Sequence, residues 1–393
     1  MAHERDALIT GVGIASCLGS GEAAHWQALN DFSPVLDTMS FPPFAVHPMA
    51  PLDLDKQIPK RGDQRQMEPW QRIGVFAAGL ALDSAGVKGN TELLSRMGMI
   101  VAAGGGERDY AVDATILSGY PKAENPGAYL NEHLLGDLRP TLFLAQLSNL
   151  LAGNISIVHG VIGSSRTFMG EEASGADAVR IACARIAAGQ GDIMLVGGSY
   201  NAQRPDVLLH VEMGGLLRRA PFEPVWARQA SGGGMILGSL GCFLVIESRA
   251  HAAARGVAAY GQIAAIRTDR CGRRPGEATA KARAQLASMA GQYDPAGAAV
   301  ISGASGAAAV TLEEQAFLGE LGLPVRASVT ALGSTLEPSF PASLALAAMS
   351  VRHGMLFPPL EAAEQAMMAP LQQALVTSWG HWRGEALALV TAA

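Results

Sequence analysis

SRTFMGEEASGADAV, residues 165–179, is the stretch on which the reading of the chain turns. Ser165 to Met169 is rich in residues that favour strands, Gly170 permits a sharp turn, and Ala173 onward alternates small and apolar residues at helical spacing. A strand, a tight turn and a helix start form the place where α/β enzymes mount a nucleophile, because the exposed helix amides favour a developing anion there. Neither Cys nor Ser stands at the tip. Glu171 and Glu172 do.

The same alternation runs outward in both directions. ALIT (7–10) is an apolar strand, and GVGIASCLGSG after it reads as a turn and helix entry. Gly11 and Gly13 suit a dinucleotide loop, but Ser16 holds the third glycine position, so the phosphate signal is weak. GEAAHWQALN is a helix, Phe41 to Pro51 an irregular proline-rich loop, and residues 68–86 a helix that ends on Gly86. MGMIVAAGGG (97–106) is a buried strand. Residues 138–159 hold a helix and then the start of a strand. DIMLVGGS (192–199) and GCFLVIES (241–248) are further buried strands.

After residue 250 the pattern restarts. AYGQIAAIRT (259–268), AAVISGAS (298–305) and EALALVTA (385–392) read as strands, with helices over AKARAQLASMAG, LEEQAFLGEL and ALAAMSVRHG. Strands that are apolar throughout and alternate with helices predict a mostly parallel sheet buried on both faces. The expected division is an N-terminal half over 1–250 and a similar C-terminal half over 251–393, a duplication of structure without a repeat of sequence.

Composition narrows the function. A net charge of −6 and few basic clusters exclude general nucleic-acid binding. Cys17, Cys183, Cys242 and Cys271 are scattered, with neither a CxxC pair nor metal spacing, and read as buried thiols in a reducing compartment. MAHERD leads straight into a strand, and runs such as ASLALAAMSV fall short of the ~20 residues that span a bilayer. The expectation is a cytoplasmic chain with no membrane span, no metal and no cofactor.

Over nearly its whole length the chain resembles the β-ketoacyl-acyl-carrier-protein synthases, condensing enzymes of the thiolase fold. ALITGVGIASCLGSG is similar to the family's opening, LRPTLFLAQLSNLLAGNISIVHGVIG to the approach to its active site, and GCFLVIESRAHAAARG to its middle. PVRASVTALGSTLEPSFPASLALAAMSVRHGMLFPPL (324–360) is similar to its last major segment. The resemblance implies an α/β thiolase-like fold of two similar halves, packed as alternating helix and sheet layers. Gly163, Asp192 and the Gly197-Gly198 pair fall at the family's offsets around the opening stretch, which places Glu172 at the nucleophile position.

The other chemical positions carry over one at a time. Gly303 stands where the family has its first histidine, and Val329 replaces a lysine. Ser334 replaces the second histidine and Ser239 a glutamate. The family's gating loop beside the nucleophile reads Trp379-Gly380-His381-Trp382-Arg383, so Trp379, His381 and Phe168 are candidates for the pocket or its gate. Condensation requires a thiolate to carry the acyl group and imidazole donors for the enolate and oxyanion. By this reading no catalytic residue is retained.

Two functions follow. The first is a non-catalytic partner, like the family's chain-length factors, paired with an active ketosynthase or with itself and serving an acyl carrier protein in fatty acid or polyketide elongation. The stretch from Thr141 to Phe168 would supply the dimer interface. The second is an acyltransferase, hydrolase or malonyl decarboxylase that draws on Glu172, Ser302, Ser334 or His381. Relatives that decarboxylate without condensing keep both histidines, and this chain has neither.

Overall fold

The computed structural model describes residues 3–138 and 144–393. Ten strands form the body of one large sheet: β1 (Ala7–Ser16), β2 (Gly98–Ala102), β3 (Ser165–Phe168), β4 (Ile193–Tyr200) and β5 (Leu240–Ser248), then β6 (Gly261–Asp269), β7 (Ala298–Ser302), β8 (Val325–Ala327), β9 (Gln373–Trp379) and β10 (Glu385–Thr391). Across the first five the spatial order is β3-β2-β4-β5-β1, and across the second five β8-β7-β9-β10-β6. The two orders are the same. The sets meet where Ala7–Ile9 of β1 pair antiparallel with Gly261–Ile263 of β6.

The sheet is mixed rather than mostly parallel. β2 runs parallel to β3 and β4, and β7 to β8 and β9, but every ladder from β4 through β5, β1, β6 and β10 to β9 is antiparallel. Strands buried on both faces read as continuous apolar runs whichever way they point, so hydrophobicity alone does not reveal direction.

Alternate side chains of each strand serve different layers. Ile100, Val196 and Leu244 face one core and Met99, Leu195 and Phe243 another. Helices α1 (Pro69–Ser84) and α2 (Leu150–His159) cover the outer face of the first strand set. Helices α3 (Glu171–Ala187) and α6 (Ser339–His353) pack against each other between the two sets, and α4 (Glu277–Ala287) and α5 (Ala308–Leu321) cover the far side. The result is helix, sheet, helix, sheet, helix.

Central position explains composition. Every residue of α6 from Ser339 to Val351 is buried, which explains its lack of charge until Arg352. Its hydroxyls are satisfied internally: Ser350 Oγ donates to the Leu346 carbonyl at 2.8 Å, and Ser343 Oγ shares a 2.9 Å bond with Ser328.

Two local expectations change. The strand predicted over 7–10 continues to Ser16 instead of turning. A Cβ at Gly13 would lie 2.1 Å from the Ala77 carbonyl oxygen and one at Gly11 2.5 Å from that of Ala81, so these glycines let α1 lie directly on β1. The expected strand start within 138–159 is the second half of α2, which closes on Gly160 at φ 77°. Its residues 151, 152, 155 and 159 share a buried face, and His159 Nε2 bonds the Val75 carbonyl at 2.8 Å; helical contacts with α1 override the β-branched composition.

Candidate functional site

Gly170, at φ 118°, turns β3 into α3 and leaves Met169 exposed at the tip. Glu171 and Glu172 follow as the first residues of the helix, where the free amides favour a negative charge. Their fates differ. Glu171 is half-buried, while Glu172 is 1% exposed and turned into the molecule.

Its partner is His381. The His381 Nδ1 lies 3.0 Å from Oε1 and 3.2 Å from Oε2 of Glu172, and its backbone N–H reaches Oε1 at 3.4 Å. The β9–β10 turn holds the imidazole there. Gly380 N–H donates to the Gly384 carbonyl at 2.9 Å, and Arg273 clamps the turn by bonding both the Gly380 carbonyl and Glu385. A Cβ at Gly384 would come within 2.6 Å of Ala173 Cβ, so the turn sits directly on the first turn of α3.

Burial pushes the Glu172 carboxyl up, but the His381 charge and hydrogen bonds outweigh it and its pKa falls below the ordinary value. Burial pushes His381 down, and Glu172 outweighs that and raises it. Each group therefore holds the other in its charged form, as a closed, desolvated ion pair.

The remaining sequence candidates do not join it. Gly303 directly follows β7, with its N–H on the Thr377 carbonyl at 2.9 Å. Val329 is buried in the short helix Ser328–Leu332. Ser334 is buried with an unpartnered Oγ, and its N–H donates to the Ile236 carbonyl at 2.8 Å. Ser302 Oγ donates to Glu314 at 2.8 Å. Trp379 is buried against Phe317, with ring centroids 5.6 Å apart, and Phe168 packs on the central core. Of the candidate acids, bases and nucleophiles, only Glu172 and His381 are brought together.

Two further buried acids were not singled out by the motifs. Glu314 accepts from Ser302 and from Thr377 (2.6 Å), its Oε2 has no partner, and burial raises its pKa to about 7. Glu337 lies where α6 begins, also with an unpartnered Oε2. Its signal was an acid inside the otherwise uncharged run ASVTALGSTLEPSFPASLALAAMSV. None of the four thiols is activated. Burial raises Cys17 and Cys183 to about 12, Cys271 to about 11, and Cys242 higher still. Cys183 is three helical turns along α3 from the elbow.

The elbow between β3 and α3, set at the junction of two strand sets of like order, has counterparts among known proteins. Residues 4–252 match the N-terminal domain of the β-ketoacyl synthases. The chain belongs to the β-ketoacyl synthase family. Its relatives include the 3-oxoacyl-[acyl-carrier-protein] synthase 2 of Vibrio cholerae, 25% identical over 66% of this chain and 62% of the relative. The match thus spans less than two thirds of that protein. The ketoacyl synthase beta subunit of the tetracenomycin polyketide synthase from Streptomyces glaucescens is 26% identical over 90% of this chain and 87% of its own. In structure, the ishigamide ketosynthase/chain length factor superposes over 99% of both chains with a TM-score of 0.78 at 18% identity, which establishes the thiolase-like fold of this family member. Among the described residues of this family member, no helix is long and apolar enough to cross a membrane.

Proposed function

We propose that this β-ketoacyl synthase homologue is a non-catalytic subunit, paired with an active ketosynthase in the elongation of carrier-bound acyl or polyketide chains. The observation that carries the reading is the Glu172–His381 pair. The nucleophile position holds a carboxylate whose charge is already balanced and whose oxygens are turned away from solvent. An acyl group on that carboxylate would be an anhydride, too labile to serve as a carried intermediate, and every thiol in the chain is held protonated. Gly303 and Ser334 offer no imidazole for an oxyanion.

Pairing is supported by the surface. β3 is an edge strand of the sheet, and among the described residues no strand pairs with its outer side. Ile157 and Ile162, both 65% exposed or more, stand beside it. Both fall within the stretch expected to form the interface, Thr141 to Phe168, whose first residues, Thr141 to Phe143, lie outside the described residues. A large apolar surface next to an open sheet edge is the signature of association.

Co-expression with an active ketosynthase encoded beside it tests the proposal. A stable 1:1 complex that dissociates when Ile157→Lys and Ile162→Lys are introduced is the expected result. Two chains that purify separately, with this one monomeric, overturn it.

A further inference from the structure

A cavity of about 460 Å³ opens between the Gly104–Gly106 turn, the start of α3 and the helix Pro205–Met213. It is the size of a small-molecule site, in the range of about 300–1,000 Å³. The two guanidinium groups on its wall are spent: Arg204 pairs with Asp206, and Arg108 with Asp113 at 2.7 Å. What remains is negative. Glu171 makes no side-chain hydrogen bond or ion pair among the described residues.

Glu337 is the stronger observation. It is 5% exposed, lines the cavity and leaves Oε2 without a partner, and the hydroxyl of Tyr200 on the same wall is likewise buried and unpartnered. The backbone is arranged to present it. Leu336, at φ 48°, is the one non-glycine residue with positive φ among the described residues, and it immediately precedes Glu337. A Cβ at Gly104 would stand 2.8 Å from Glu337 Oε1, and one at Gly175 2.2 Å from the Glu337 carbonyl. Strain and two glycines thus hold an unsatisfied carboxyl against an open cavity, an arrangement that folding alone does not favour.

The acceptors call for a donor with positive charge. Fewer than three metal-ligating side chains converge at any place among the described residues, so the donor is nitrogen rather than a metal ion. Met169, Val207 and Leu336 offer an aliphatic body an apolar wall.

We propose that this cavity binds a primary amine on a short aliphatic body, its ammonium neutralised by Glu337 and Glu171 and donating its third N–H to the Tyr200 oxygen. The site is built by one chain and stands whether or not the chain pairs with a ketosynthase. In the empty cavity burial raises Glu337 to about 8, helped by the charges of Glu172 and Glu171 and opposed by His381, so it is a neutral acid there. Arrival of the ammonium displaces that proton. His210, also on the wall, is not among the main groups acting on Glu337.

Calorimetric titration of the purified full chain at pH 7 with n-hexylammonium, hexanol and hexanoate tests this. Hexylammonium is expected to bind about tenfold more tightly than either control, as a charge-assisted bond requires, with about one proton released, read from the dependence of heat on buffer ionisation. Glu337→Gln loses about tenfold in affinity and abolishes the proton release, and Tyr200→Phe loses about threefold. Circular dichroism checks that both variants keep the fold. Binding of hexanol or hexanoate as tight as that of the amine, no binding of any of the three, or unchanged amine binding in Glu337→Gln overturns the proposal.

Discussion

His381→Ala is the substitution that most sharply probes the elbow. In the native protein the imidazole is, among the described residues, the sole cation bonded to a carboxylate that is 1% exposed. Removing it leaves Glu172 either charged in a desolvated site or forced to take up a proton. Breaking one side of a buried ion pair costs about 3–5 kcal/mol, more than the pair itself contributes, because the survivor has no water to turn to. Here the neighbouring Glu337 and Glu171 sharpen the penalty, since both act on the same region. Glu172→Gln, which leaves a neutral amide against the ring, should cost about 1–3 kcal/mol. The double variant should be more stable than His381→Ala alone, with a coupling of about 1.5 kcal/mol or more. Urea unfolding followed by circular dichroism at pH 6 measures all four corners of the cycle. The pH matters. The raised His381 contributes fully below its ordinary 6.5 and fades as pH rises through its folded value; the lowered Glu172 contributes above 4.5 and fades as pH falls through its own. The pair is therefore strongest between those ordinary values, and the cost of His381→Ala should shrink at pH 9. A cost below about 1 kcal/mol, or single-variant effects that simply add, would refute the claim that a buried ion pair seals this site.

Glu314→Gln should flatten the alkaline side of the stability profile. The carboxyl, raised from 4.5 to about 7, stabilises fully below 4.5 and loses that contribution as pH climbs through 7. At 1.36 kcal/mol per pKa unit this is about 3 kcal/mol between pH 4 and pH 9, read from urea midpoints. Gly13→Ala should destabilise by about 1–3 kcal/mol, since its methyl would need to push β1 off α1, whereas Gly153→Ala, in open space within α2, should lose far less; thermal melts compare them. Iodoacetamide at pH 8 should label the native chain slowly, with Cys271, the least buried thiol, first, as followed by intact mass.

How far the sequence alone reached can be seen element by element. β4, β5, β7 and α6 are legible because burial on both faces leaves long apolar runs; the strand bounds agree with the expected ones to within a few residues, while α6 begins six residues before the expected run. Strand direction is not legible, since it depends on how the crossovers pack, and so the antiparallel middle of the sheet was missed. Gly11 and Gly13 suggested a turn because glycine serves both turns and close packing, and only the helix lying on them separates the two. At the site, Glu172 and His381 could each be named from their positions, but 209 residues separate them and nothing local announces the pairing. Glu337 and Glu314 escaped for a different reason. Their significance lies in a missing partner, and a sequence does not state who is left unbonded.

The central claim is that the elbow of this β-ketoacyl synthase homologue has been closed to chemistry. Intact-protein mass spectrometry after incubating the isolated chain with an acyl-loaded carrier protein, with carbon dioxide followed in parallel from a malonyl-loaded one, tests it most directly. The prediction is an unchanged protein mass and no carbon dioxide above the carrier protein alone. A covalent acyl adduct, or carbon dioxide release that disappears in Glu172→Ala, would contradict it.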